Sequence, residues 1–311
     1  MTTSQPTKDI RDAFFDEIYE LGKKNKDLIF ISDDMDAFGL RHFKKDFPDQ
    51  FINIGVAEQN MIDVAAGLAA CGKRVFVYGI CSYVTMRCFE QIKFSLCSMK
   101  LPVVIVGVGA GFSFSFDGPT HHGTQDIAIM RALPEIEILN PGDAASAAAS
   151  AQLAYQSSIP VYIRLDKGVF PELYKNKDSF SSGFKIVKPL QKINILSTGF
   201  MSNQALQASK ILSESGLEIG VVDVLRLKPL SQELVDQVLK QSEVVITLEE
   251  HSVVGGLGGA VGELIQENQL ACIQKKIAVP DVQYLAYGSR DWFHEKTGID
   301  LQSICETVKK C

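Results

Sequence analysis

Three places in this sequence carry residues able to do chemistry. The first is Glu58, within Asn53-Ile54-Gly55-Val56-Ala57-Glu58-Gln59-Asn60. A carboxylate that opens an apolar helix is stabilised as an anion by the helix N-terminus, while apolar surroundings favour its protonated form, so its proton affinity is tunable. Taken alone, the octet also fits an ordinary first-turn glutamate. The second place is the segment Gly109 to Gly123, GAGFSFSFDGPTHHG, with Asp117, His121 and His122 beside Pro119 and several glycines. Imidazoles and a carboxylate in such a loop suit catalysis or substrate binding. His121, His122 and Asp126 could also ligate a metal, but a lone His-His pair without a second cluster argues against it. The third place is Asp33-Asp34. These carboxylates could hold a metal or polar ligand, or cap the next helix in a solvated loop, and the turn preference of Asp favours the loop.

Positioning these groups takes alternating helices and strands. Ile10, Phe14, Phe15, Ile18, Tyr19 and Leu21 predict a helix over 8–23, and Leu28 to Ser32 a short strand that delivers Asp33. Phe51, Ile52 and Ile54 read as a strand leading to Glu58. Met61, Val64, Ala65, Leu68 and Ala69 then recur at helical spacing, which puts Glu58 in the first turn. Arg74 to Tyr78 is a strand, and a helix is expected from about Met86 to Ser98. Val103 to Val108 is apolar at every position, as in a strand buried on both faces. It empties into the Gly109–Gly123 loop, at the end of an open α/β sheet where ligands bind.

A helix near Ile127 to Arg131, a strand Ile136 to Leu139, a helix Ala144 to Tyr155 and a strand Val161 to Leu165 complete the first unit. From Gly168 to Pro189, through Lys175-Asn176-Lys177-Asp178-Ser179, the chain turns polar and loses its period, which marks a junction. Strands at Ile193–Ser197, Leu217–Val224, Val244–Leu248 and Lys276–Val279, with helices near 203–214, 231–240, 257–267 and 300–310, predict a second, smaller α/β unit. Within it, Gly255-Gly256-Leu257-Gly258-Gly259 follows a strand and opens a helix. The third glycine of a dinucleotide fingerprint falls on Val261, so these glycines read as close helix-to-strand packing and His251 as a loop imidazole.

The 311 residues suffice for two domains, and 46% hydrophobic with 22% charged residues is the make-up of a soluble globular protein. Against 37 acidic residues stand 31 basic ones, a formal charge of -6 with no basic run, so no nucleic-acid partner is expected. The start, Met1-Thr2-Thr3-Ser4-Gln5-Pro6, lacks a signal-peptide core, and no apolar run reaches membrane-spanning length. Seven cysteines without a CxxC pair fit reduced, buried thiols and no structural zinc. These features together lead to the expectation of a cytoplasmic protein.

Several longer motifs occur in register: NIGVAEQNMIDVAAGLAA, RCFEQI, DGPTHHGTQDIAIMRALPEI, PVYIRL, LKPL and LEEHSVVGGLGGAVGE. Together they resemble the C-terminal half of transketolase, from about residue 8 to residue 305. The resemblance implies an α/β chain with a pyrimidine-type, parallel-sheet domain over residues 1–185, followed by a smaller transketolase C-terminal α/β domain over 186–311. It also implies thiamine diphosphate as cofactor. The family's diphosphate signature, GDG with an Asn some thirty residues on, is missing, since Phe116-Asp117-Gly118 lacks the first glycine. A separate transketolase N-terminal subunit is therefore implied, which holds the diphosphate through Mg²⁺ in a heterotetramer of two copies of each chain, acting on sugars.

By the same resemblance Glu58 matches the glutamate that hydrogen-bonds N1′ of the aminopyrimidine and promotes its imino tautomer. Tyr83 stands where the family stacks an aromatic ring on the pyrimidine, with Ile80, in place of a usual Phe, and Arg87 lining the pocket. Asp117, His121 and His122 fall in the substrate loop, and Asp117 and His121 match contacts to the sugar's hydroxyls and carbonyl. Lys167 lies near an arginine that grips substrate phosphate, and Gly109 replaces a further substrate histidine. The loop is also similar to that of 1-deoxyxylulose-5-phosphate synthase, and the size and EEHSVVGGLG motif to 2-oxo acid dehydrogenase β chains. A non-catalytic, regulatory subunit is the remaining alternative, against which stand Glu58, Tyr83, Asp117 and His121.

Overall fold

The computed structural model describes residues 8–175 and 179–311. The stretch Met1–Pro6 and the Asn176-Lys177-Asp178 part of the junction lie outside the described residues. The first unit runs α1 (Ile10–Lys24), β1 (Leu28–Ser32), α2 (Leu40–Asp46), β2 (Phe51–Asn53), α3 (Glu58–Ala70), β3 (Arg74–Ile80), α4 (Phe89–Gln91), β4 (Val104–Val108), α5 (Asp126–Arg131), β5 (Glu137–Leu139), α6 (Ala144–Gln156) and β6 (Val161–Leu165). β1, β4 and β6 are buried at every residue, as their mostly apolar runs predict, with Ser32 and Arg164 the polar exceptions in β1 and β6. On one face α1 and α6 cover Phe30, Phe76 and Val106 with Phe14, Phe15, Ala147 and Ala151. On the other, α3 and the segment after β3 bring Met61, Ala65, Val84 and Ile92 against Ile31, Val77 and Ile105. Asp143 caps α6 by accepting from the Ser146 N–H at 2.8 Å, and it fixes the junction by accepting from the Leu173 and Tyr174 N–H groups.

The second unit runs β7 (Phe184–Lys188), β8 (Ile193–Ser197), α7 (Phe200–Glu214), β9 (Gly220–Val224), β10 (Arg226–Lys228), α8 (Gln232–Gln237), β11 (Val244–Ser252), α9 (Leu257–Glu267), β12 (Ile273–Val279), α10 (Arg290–Thr297) and α11 (Leu301–Lys309). Its sheet has the order β12-β11-β8-β9-β7, with β7 antiparallel to β9. β10 instead joins the first sheet, antiparallel to β5, giving the order β10-β5-β6-β4-β3-β1-β2. The first sheet is thus parallel except at this edge, which is contributed from beyond residue 186.

The helix expected from Met86 to Ser98 differs in start and pitch. It begins at Tyr83 and is wide over Tyr83–Arg87 and Ile92–Cys97, with Ser98 N–H donating to Lys93 O, five residues back. The Thr85 hydroxyl donates to Cys81 O at 2.6 Å, a local bond of the kind that opens a helical turn. Among the described residues no helix is long and apolar enough to cross a membrane. Of the cysteines, Cys71 and Cys311 are exposed, against the expectation of buried thiols.

Candidate functional site

Glu58 is the first residue of α3 and is 2% exposed. Its Oε1 accepts from Arg87 Nη1 at 2.7 Å, and the same guanidinium lies 4.4 Å from the centre of the Tyr83 ring. The wide turn after β3 makes this possible, because it carries Tyr83 and Arg87 on one face over the start of α3. Tyr83 in turn meets His121 edge-on, ring centres 5.3 Å apart, and His121 meets Phe114 at 6.3 Å. Lys167 Nζ stands 4.0 Å from the Phe114 ring. A single line of contacts therefore runs from the buried acid through Arg87, Tyr83, His121 and Phe114 to Lys167. Ile80 is half-buried at the end of β3.

The loop that carries Asp117 and His121 is closed at its base. Gly111 and Gly123 exchange two backbone hydrogen bonds, at 3.0 and 2.9 Å, and the Ser82 hydroxyl donates to Thr120 O at 2.6 Å. Gly109 has φ +99, and a methyl there would meet the Phe114 ring at 2.6 Å, so the ring occupies the space of any larger residue. Asp117 is exposed, and it offsets the burial and the Arg11 charge that draw the Lys167 ammonium below the usual lysine range. The two histidines diverge. His121 Nδ1 is 3.0 Å from the Thr120 hydroxyl, whereas His122 is 5% exposed between Phe112 and Phe293. Burial pushes the His122 imidazole below its usual range, and its Nε2 is buried without a hydrogen-bond partner.

Asp126 lies apart from both histidines. It is fully buried, accepting from Arg164 Nε at 2.8 Å and from the Tyr162 hydroxyl at 2.7 Å. Among the described residues no group of three or more His, Cys, Asp or Glu could hold a metal.

The solvated-loop reading of Asp33-Asp34 is corrected. Asp34 is exposed and accepts from Asn53 Nδ2 at 2.8 Å, but Asp33 is 5% exposed, and α2 begins after Gly39 without a side-chain cap. The reading of His251 as a loop imidazole is corrected too. It is fully buried within β11, with Nδ1 2.9 Å from Ser252 O and Nε2 accepting from the Ala128 N–H at 3.3 Å. The glycines after it seat α9 on its strand. A methyl on Gly258 would stand 2.9 Å from Thr247 Oγ1, and the Glu249 carboxylate already accepts from the Leu257 and Gly258 N–H groups at 2.7 and 2.8 Å. The place of an anion at that helix N-terminus is thus filled by a side chain.

A buried cluster behind the loop escaped the sequence reading. Arg290 bridges Glu250 and Asp166, His294 also bonds Glu250, and Arg164 Nη2 donates to the carbonyls of Gly123 (2.6 Å) and Glu250 (2.9 Å). Although burial opposes it, the charges of Arg290 and His294 hold the Glu250 carboxyl down at about 2. The cluster binds the His-bearing loop to the second unit. EEH and RDW were visible in the sequence, but nothing local joins them.

A mostly parallel sheet backed by a smaller α/β unit matches a known class, the pyrimidine-binding and C-terminal domains of transketolases. Residues 7–172 match the transketolase pyrimidine binding domain and residues 183–304 the transketolase C-terminal domain. The chain is 34% identical over 305 residues to a putative transketolase C-terminal section of Methanocaldococcus jannaschii, covering 97% of this chain and 95% of that one. It is 33% identical to an apulose-4-phosphate transketolase subunit of Phocaeicola vulgatus, covering 96% of each. A solved split-gene transketolase, an inactive beta4 tetramer, superposes with a TM-score of 0.89 at 34% identity over 98% of both chains. The chain belongs to the transketolase family and corresponds to its C-terminal half, the form in which split transketolases carry their second subunit.

Proposed function

We propose that this chain is the pyrimidine-holding subunit of a two-chain transketolase that moves a two-carbon ketol unit from a ketose to an aldose. The observation that carries the reading is the line of contacts from Glu58 to Lys167. It joins an acid kept from water, an aromatic face and a polar loop open to a sugar. These residues fit the ring half of thiamine diphosphate: a buried carboxyl suits the ring nitrogen and Tyr83 suits its flat face. When bound, the coenzyme supplies the carbon that accepts and passes on the two-carbon unit. A partner of the N-terminal type holds its diphosphate and Mg²⁺, and two copies of each chain assemble in the cytoplasm.

Within this chain Glu58 holds a proton at N1′, and Arg87 keeps its carboxyl in place across the Tyr83 face. Ile80 lines the same pocket. His121 and Asp117 orient the sugar and move its hydroxyl proton, and His122, packed behind them, supports the substrate loop. Lys167 offers a cation at the far end but not an arginine's fork, so it suits one phosphate oxygen or a neutral sugar's hydroxyl.

The isolated chain is expected neither to hold the coenzyme nor to turn over. In the two-chain complex Glu58→Ala should cut turnover by about 10²–10⁴, the usual share of a positioned acid or base, and leave assembly intact. Undiminished turnover in that complex refutes the reading.

A further inference from the structure

Lys167 ends the line of contacts that begins at Glu58, and the backbone around it is held from two sides. After it, the Gly168 N–H donates to Asp9 Oδ2 at 3.0 Å and the Ile10 N–H to Gly168 O at 2.9 Å, so the start of α1 grips the chain. Before it stands Asp166, whose side chain is 2% exposed and whose Oδ1 accepts from the Lys167 N–H at 2.7 Å. The other oxygen of that carboxylate accepts from Arg290 Nη2, on α10 of the second unit, at 2.7 Å. Arg290 is itself fixed. Its Nε donates to Glu250 Oε1 at 2.9 Å, and its guanidinium carbon lies 3.9 Å from the centre of the Phe200 ring. Serving Glu250 and Asp166 at once takes the planar fork of an arginine.

An acid next in the chain to a lysine is a counter-ion at hand. Here both oxygens of Asp166 are engaged, one by Arg290 and one by a backbone N–H. Those of Asp9 are engaged too, by the Gly168 and Arg11 N–H groups. The Lys167 ammonium lies instead 4.0 Å from the centre of the Phe114 ring, and among the described residues it forms no ion pair. A half-buried cation left in that state beside a polar loop is suited to an anion from outside the chain.

We infer that Arg290 is a positioning residue for Lys167. By holding Asp166 it keeps that carboxylate off the ammonium and reserves the Lys167 charge for a phosphate ester at the far end of the sugar. The inference rests on the reading of Lys167 given above, and it chooses the phosphate over the neutral hydroxyl. Without Arg290, Asp166 is free to turn to Lys167 and compete with the phosphate. The second unit thereby sets the substrate preference of a residue carried by the first.

The first test titrates inorganic phosphate into the full-length chain carrying ¹³C at its lysine Cε positions, with the Lys167 NMR signal identified by its loss in Lys167→Arg. That signal should respond to phosphate in the parent. Arg290→Gln should weaken the apparent affinity about fivefold, the upper value for an exposed ion pair, and Arg290→Lys, which keeps the charge but not the fork, should weaken it less. Adding Asp166→Asn to either should restore the parent affinity, because the freed group is then neutral while its oxygen still serves the Lys167 N–H. A signal indifferent to phosphate, an unchanged affinity in Arg290→Gln, or a loss that Asp166→Asn does not restore overturns the proposal. Where Arg290→Gln does not fold, Arg290→Lys with and without Asp166→Asn decides in the same way.

The second test compares KM for D-glyceraldehyde and for its 3-phosphate as acceptors in the two-chain complex. Arg290→Gln should raise KM for the phosphate ester about fivefold more than for the neutral aldose, with the loss in KM rather than kcat. Equal changes in the two overturn the proposal. If phosphate meets Lys167 as expected but Lys167→Met leaves both KM values unchanged, it is the reading of Lys167 as a sugar contact that fails, and the hold of Arg290 on it stands.

Discussion

Replacing Arg164 by methionine tests how the His-bearing loop is held. The guanidinium is 3% exposed and its partner Asp126 is fully buried, with Asp126 Oδ1 already lacking a hydrogen bond. Methionine keeps much of the volume but leaves the Asp126 charge with the Tyr162 hydroxyl at 2.7 Å and the Cys81 thiol, and no guanidinium. Losing one partner of a buried pair costs about 3–5 kcal/mol. The Gly123 carbonyl keeps its bond from the Gly111 N–H, so the lost carbonyl contacts add about 1 kcal/mol more. The sum, about 4–6 kcal/mol, is comparable to the whole stability of a marginal domain, about 5 kcal/mol. Urea unfolding at neutral pH measures it.

Two controls sharpen that test. Adding Asp126→Asn removes the stranded charge, so the double variant should be more stable than the sum of the single losses by about 2 kcal/mol. Burial raises the Asp126 carboxyl, but Arg164 more than reverses this and holds it below the usual carboxylate range. The stability that the pair gives is thus present above that range and lost as pH falls, and the gap between parent and Arg164→Met should narrow in acid. An Arg164→Met chain within about 1 kcal/mol of the parent at neutral pH, or a fully additive double variant, would refute the reasoning.

Three further outcomes are expected. His121→Ala in the two-chain complex should raise KM for the ketose while leaving thiamine diphosphate affinity unchanged, and steady-state kinetics beside a coenzyme titration separates the two. Burial raises the Asp223 carboxyl to about 7, despite hydrogen bonds from Ser202 and Tyr174. Stability from Asp223 is full below the unfolded carboxylate range and lost as pH rises toward 7, so Asp223→Asn should flatten the fall of Tm between mildly acid and neutral pH. Gly111 has φ +56, and a methyl there would meet Glu250 Cγ at 2.5 Å, so Gly111→Ala should cost at least the ~1–2 kcal/mol of a left-handed backbone, read by urea unfolding.

The strands were legible where a short run is mostly apolar, as burial on both faces favours, even with Ser32, Arg164 or Asn194 buried within it. Leu28–Ser32, Val161–Leu165 and Ile193–Ser197 lie where their apolar runs predict. Glu58 was legible because a helix period begins at it, and α3 starts there. What stayed hidden depends on distant partners. Asp33 reads as a turn residue until Gly79, 46 positions on, is seen to open the space for it. The stretch α10, RDWFHEKT, shows little apolar period, yet Phe293 stacks on Phe112 at 4.5 Å while Arg290 and His294 satisfy Glu250. β10 is three residues long, two of them basic, and is a strand only because β5 offers it an edge.

That borrowed strand has a practical bearing on anyone who would trim the gene. Residues 173–182, between the two family matches, look like a natural place to cut. A fragment ending there would lose Arg226–Lys228 and bare the backbone of Glu137–Leu139, and an uncovered strand recruits whatever chain is nearest. The truncated product should clump rather than stay dispersed, and a usable miniature would have to bring its own plug for that seam.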